Sequence, residues 1–362
     1  MICLENIAAK VRADQRISAE EALFLFNSNE LLVIGELAAL ANERKNGKNV
    51  FFNVNRHINP TNICVNRCTF CAFYRTPGGE GAYTLALEEI CRKAKQAEEE
   101  GATEVHIVGG LHPDLPFEYY EQALNAIRQV APSLHIKAFT AVEIDYFGRI
   151  AGLGIEQVLE RLKAAGLGSM PGGGAEILVE EVRQRICPEK ISGARWLEII
   201  RLAHSAGLKT NATMLYGHAE GPADRVAHME MLRELQDRTG GFQAFIPLAF
   251  QPENSDLKLN IKETSGLDDL KTLAVARIFL DNFSHIKAYW VMLGEKIAQV
   301  ALSFGVNDLD GTVVEERIGH DAGARSPQSL SKDGIIRLIA KAGRTPVERD
   351  TLYRTLTRVP RG

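Results

Sequence analysis

Val50-Phe51-Phe52-Asn53-Val54-Asn55, followed shortly by Cys64-Val65-Asn66-Arg67-Cys68-Thr69-Phe70-Cys71, decides the fold. The first stretch is β-branched and aromatic and reads as a strand. The second is a loop that gathers three of the six cysteines into a CxxxCxxC run. Thiols grouped this closely repel as anions unless a soft cation binds them, so they argue for chemistry and not packing. In a parallel barrel, the loops that follow strands build the active face.

The alternation of strand and helix then repeats along the chain. Further strands are predicted over 104–108, 135–139, 168–170, 209–215, 243–248, 285–291 and 308–312. Helices are predicted between them, among others over 87–100 closed by Gly101, over 117–130 ended before Pro132, and over 155–165 closed by Gly166. Eight strands with helical crossovers predict an α/β fold, a (β/α)8 TIM-type barrel over 49–312. An N-terminal helical extension over 1–48 precedes it, with Ser18-Ala19-Glu20-Glu21 as a capping box. A C-terminal extension over 313–362 is expected to pack on the barrel. A doubly wound sheet is the alternative, although neither a P-loop nor a strand-linked GxGxxG is present to support it.

Lys and Arg total 42 against 46 Asp and Glu, a net charge of −4, so the chain lacks the basic footprint of a nucleic-acid binder. No apolar run approaches the ~20 residues that span a bilayer. Glu5 interrupts the opening residues, which predict no secretory leader. The expectation is a cytoplasmic protein whose cysteines are reduced. Cys3, Cys91 and Cys187 are isolated and read as packed apolar residues. For the clustered three, zinc competes with iron. A structural zinc site wants four protein ligands, and no fourth Cys or paired His lies at the usual spacing. Three thiolates on a [4Fe–4S] cluster leave one iron open to another ligand.

The CxxxCxxC loop with Phe70 before its third cysteine resembles the signature of radical S-adenosylmethionine (SAM) enzymes. The resemblance implies that Cys64, Cys68 and Cys71 hold a [4Fe–4S] cluster. Its open iron would chelate SAM, and an external one-electron donor would drive cleavage to methionine and a 5′-deoxyadenosyl radical. Phe70 is expected beside the cofactor. The backbone of Gly109 and Gly110 is expected to receive the SAM ammonium, although Leu111 replaces the acid that commonly follows two such glycines. Glu176, after Gly172-Gly173-Gly174, is a candidate for the ribose hydroxyls, with a plain turn as the alternative. Thr140 and Glu143 end the third predicted strand at the same face, as cofactor or substrate contacts. His218 ends the fifth and is a candidate for proton transfer, with a structural role as the alternative.

Over about residues 20–330 the resemblance narrows. Asn55-Arg56-His57-Ile58-Asn59 and Gly110-Leu111-His112-Pro113-Asp114 are similar to the group containing aminofutalosine synthase, cyclic dehypoxanthine futalosine synthase and the deazaflavin-forming synthases. Phe139-Thr140-Ala141-Val142-Glu143 and Thr213-Met214-Leu215-Tyr216-Gly217-His218 are most similar to the aminofutalosine synthase family. That implies addition of the adenosyl radical to 3-[(1-carboxyvinyl)oxy]benzoate with decarboxylation, in menaquinone biosynthesis, with SAM as co-substrate. Arg56, His57 and Arg75 are candidates for the substrate carboxylates. A sister enzyme acting by hydrogen abstraction is the second reading, and a non-enzymatic iron–sulfur redox protein the third.

Overall fold

The computed structural model describes residues 2–257, 261 and 263–358. Its strands are β1 (Asn49–Asn53), β2 (Asn55–Ile58), β3 (Glu104–Ile107), β4 (His135–Ala138), β5 (Ser169–Met170), β6 (Lys209–Tyr216), β7 (Phe242–Ala249), β8 (His285–Ile286), β9 (Asp308–Gly311), β10 (Thr345–Arg349) and β11 (Thr355–Arg358). Strands β2 to β8 form one parallel sheet in chain order, as expected when each crossover helix returns the chain with the same hand. The sheet curls into a partial barrel, and β9 spans its gap. On one side Lys287, next to β8, bridges Asp308; on the other Val314, beyond β9, bridges Arg56 of β2. The seam is sealed by Ala288 N–H donating to the Asp308 carbonyl at 2.9 Å and His57 N–H donating to the Val314 carbonyl at 2.8 Å. All eight predicted strands are therefore present, seven in one sheet and the eighth as a staple.

The strand predicted over 50–55 divides at Val54. β1 leaves the barrel and joins a second sheet of order β11-β10-β1-β9, while β2 continues as a barrel stave. Amide side chains cause the division. The Asn55 N–H donates to Thr312 Oγ1 at 3.0 Å, and Asn55 Oδ1 accepts from the Val313 N–H at 2.8 Å. These side chains replace ladder bonds at the crossing. A Cβ on Gly311 would lie 2.3 Å from Asn53 Oδ1, so only glycine passes there. The prediction stopped at Asn55 because β2 is polar yet buried, and hydrophobic alternation does not reveal such a strand. The strand predicted over 285–291 is likewise shorter. Trp290 instead opens the helix Trp290–Ala301, its indole N–H donating to the Gly311 carbonyl at 2.9 Å.

Helices cover the outer face of the sheet. Phe117 and Tyr120, from the helix Phe117–Val130, pack with Phe147 of the helix Ala141–Ala151, and Tyr120 and Phe147 have ring centroids 4.3 Å apart. At the N-terminus, the helix Leu4–Arg12 lies against Leu31–Asn46, and Leu31–Asn46 and Ala19–Asn27 lie against the helix Gly266–Phe279. The Ser18 capping box is formed in both directions: the Glu21 N–H donates to Ser18 Oγ at 3.2 Å and the Ser18 N–H to the Glu21 carboxylate at 2.8 Å. Ile34 and Leu37 are fully buried there, each contributing about 1.5–3 kcal/mol.

Candidate cofactor cavity

The cavity opens at the C-terminal ends of the barrel strands, where Cys64, Cys68 and Cys71 border it. Their loop is clamped by its own polar residues. Asn62 donates from Nδ2 to the Gly81 carbonyl at 2.9 Å and accepts from the Tyr83 N–H at 2.9 Å, while Thr61 Oγ1 donates to the Tyr83 carbonyl at 2.7 Å. Beyond the cysteines, the Arg75 guanidinium folds back onto the Ala72 and Tyr74 carbonyls at 2.7 and 2.8 Å. Thr69 Oγ1 ties the loop to the Ile186 carbonyl at 3.1 Å. Burial pushes all three thiols up, Cys68 to about 12, so a metal centre binds here by displacing protons.

The donor set fits an iron–sulfur cluster. A single ion needs its donors to converge on one point, and no such group of three His, Cys, Asp or Glu occurs among the described residues. A cluster takes one thiolate per iron and leaves the fourth iron for another ligand.

Gly109 and Gly110 border the same cavity, and their lack of side chains has a local cause. The Gly110 N–H donates to the Thr61 carbonyl at 2.8 Å, and a Cβ on Gly110 would sit 2.2 Å from the Ile63 carbonyl oxygen. The cysteine loop therefore rests directly on this backbone. Thr140 and Glu143 also border the cavity and form the capping box of the helix Ala141–Ala151. Glu143 accepts from the Thr140 N–H at 2.7 Å with one oxygen and from the Gly109 N–H at 3.0 Å with the other. Burial pushes Glu143 up to about 7, against the pull of those donors.

Glu176 borders the cavity in an ion pair with Lys190, a residue that sequence reasoning missed. Burial opposes both charges, but their attraction prevails, holding Glu176 below and Lys190 above their ordinary ranges. Lys190 Nζ also lies 4.9 Å from the Phe70 ring centroid, so Phe70, which is not part of the cavity lining, is linked to it through this ammonium. His218 is not brought to the cavity. Its Nε2 donates to the Leu215 carbonyl at 2.9 Å and its Nδ1 accepts from the Ala219 N–H at 2.6 Å, so both nitrogens are engaged. Of the carboxylate candidates only His57 borders the cavity. Arg56 is buried against Glu100 at 2.6 Å and Glu315 at 3.4 Å.

Below the loop the lining is polar: His57, His106, Lys137, Asp310 and Tyr289. Apart from His57, none of these was singled out from sequence. The signal was alternation. His57, His106 and Lys137 stand at equivalent heights on β2, β3 and β4; with helices over the outer face, polar alternates in such strands point into the barrel. Backbone strain collects here too, with positive φ at Phe139, Glu176, Asp310 and Val313. For a β-branched residue such as Val313 that is a true outlier, of the kind found around functional sites.

Residues 58–232 match the Radical SAM superfamily, and residues 239–361 match the CofH/MqnC C-terminal region. A curated relative, the aminodeoxyfutalosine synthase of Thermus thermophilus, is 50% identical over 96% of this chain and 94% of its own. The chain belongs to the radical SAM superfamily. Radical SAM enzymes use a [4Fe–4S] cluster and SAM, which agrees with the thiol set described above. The aminodeoxyfutalosine synthase of Streptomyces coelicolor is 46% identical over 97% of this chain and 93% of its own. Similarity extends to a differently named relative, the 5-amino-6-(D-ribitylamino)uracil–L-tyrosine 4-hydroxyphenyl transferase of Methanopyrus kandleri, 46% identical over 85% of this chain and 84% of its own. Among solved structures, the FeFe-hydrogenase maturase of Carboxydothermus hydrogenoformans superposes with a TM-score of 0.75 at 20% identity, covering 97% of this chain and 80% of that one, and so shares the fold. Among the described residues no helix is long and apolar enough to cross a membrane.

Proposed function

We propose that the protein catalyses the aminodeoxyfutalosine synthase reaction. The 5′-deoxyadenosyl radical derived from SAM adds to the enol-ether alkene of 3-[(1-carboxyvinyl)oxy]benzoate, and rearrangement with loss of a carboxylate gives 6-amino-6-deoxyfutalosine for menaquinone. The observation that carries this reading is the 50% identity to the Thermus thermophilus enzyme across almost the whole chain. Bound cluster and SAM supply the one-electron cleavage, with the electron from an external donor. A reducing cytoplasm suits both the thiols and that donor.

The part played by the chain's own residues is positional. Cys64, Cys68 and Cys71 are assigned to the cluster, Gly109, Gly110 and Glu176 to SAM, and Thr140 and Glu143 to holding the Gly109 backbone in place. Apolar walls from Phe73, Val108, Leu111, Ile246 and Met292 exclude water from the reacting alkene. The Methanopyrus kandleri relative favours a second reading, transfer of a hydroxyphenyl group from tyrosine. Anaerobically reconstituted protein, SAM and dithionite would be incubated with the enol-ether benzoate, and in parallel with tyrosine plus 5-amino-6-(D-ribitylamino)uracil. An adenosyl adduct lacking one carboxylate, seen by mass spectrometry in the first incubation alone, is the expected outcome. Product in the second alone would replace the first reading with the second.

A further inference from the structure

Beneath the cysteine loop the strand registers set His57 beside His106, and His106 beside Lys137. The two imidazole centroids are 4.5 Å apart with the rings tilted by 36°, and all three side chains border the cavity. The charges around them are already matched. Lys137 pairs with Glu104 at 2.6 Å, Lys287 with Asp310 at 2.6 Å, and His320 with Glu316 at 2.9 Å. His57 differs from these. The residue is 5% exposed, yet its Nε2 is buried with no hydrogen-bond partner. Natural proteins rarely leave such an atom unpaired, because its desolvation is uncompensated. Burial also holds both imidazoles below their ordinary pKa, so they are neutral at pH 7 and offer an N–H without bringing a charge.

We propose that His57 Nε2–H donates to the ring carboxylate of an aryl enol-ether substrate and thereby points the alkene at the cysteine loop. The proposal rests on the function given above. His57 lies one residue before the end of β2 and the cysteines follow that strand, so a ligand held at His57 extends upward toward the loop. The radical forms on the loop side, which requires the alkene there and leaves the ring carboxylate to reach the imidazole. His106 packs against the His57 ring at that tilted contact.

The test is calorimetric binding of 3-[(1-carboxyvinyl)oxy]benzoate, and of the analogue lacking the ring carboxylate, to cluster-loaded protein without reductant. Wild type should bind the full ligand more tightly than the analogue. His57→Phe should weaken the full ligand roughly ten- to hundredfold and leave the analogue unchanged, while His57→Gln, which restores a donor, should recover part of the loss. Equal affinities of the two ligands for wild type would overturn the proposal without recourse to any variant. So would an equal loss of both ligands in His57→Phe. If wild type converts the enol-ether benzoate and either of those results is obtained, the His57 assignment alone falls; if wild type does not convert it, the proposed function falls as well.

Discussion

At Gly110 the cysteine loop and the end of β3 approach so closely that a methyl group would lie 2.2 Å from the Ile63 carbonyl oxygen. Gly110→Ala is expected to displace the loop at a cost on the order of 1–3 kcal/mol. Iron bound per chain and visible absorbance after reconstitution should both fall, and full iron loading would show that the loop can shift without loss. Lys190 poses a different question, because its removal leaves Glu176 as a buried anion without its ion-pair partner. Lys190→Met should destabilise the protein by about 3–5 kcal/mol in urea denaturation, and adding Glu176→Gln should restore most of that. The thiols were legible in the sequence because their spacing is itself the signal. Lys190 was not, since Cys187-Pro188-Glu189-Lys190 reads as a polar turn and only folding places that ammonium against Phe70 and Glu176.

The short helix Ile318–Asp321 lies over one side of the cavity, and the Glu316 carboxylate helps hold its first turn. Glu316 accepts from the Gly319 N–H at 2.8 Å and from His320 Nδ1 at 2.9 Å. That hydrogen bond raises His320 to about 9 from an ordinary 6.5, against its partial burial. The folded state therefore holds the proton more tightly than the unfolded one. The pair's contribution is complete below about pH 6.5 and is lost as pH rises through about 9. Hydrogen exchange at Gly319, corrected for intrinsic rates, should show protection falling over that window, and His320→Gln should flatten the profile. Among elements, the amphipathic helices and β6 were readable from their periodicity. β2 was not: Asn55, Arg56 and His57 are all buried, and burial of polar residues inside a barrel leaves no hydrophobic pattern to follow.

Across the whole molecule, the strand and helix alternation was enough to give the barrel, because each βα unit announces itself locally. The second sheet was not foreseen, since β1 and β10 are distant in sequence and only their pairing shows that they belong together. β10 is buried along most of its length, and its Arg349 guanidinium meets Asp308 of β9 at 2.8 Å. A chain ending at Arg344 should accordingly keep its helical signal but retain less iron after gel filtration than the full chain; equal retention would show that β1 needs no outer neighbour. The division of one strand into β1 and β2 also bears on the order of events during synthesis. The cysteines leave the ribosome well before β10, the strand that pairs with β1 just upstream of them. Until β9 and β10 follow, the loop stands on an unfinished foundation, with its thiols open to oxidation and to stray metal ions. Cluster insertion thus belongs after β9 and β10 are in place beside β1, and a pause before β10 is made would lengthen the interval in which the site can be lost.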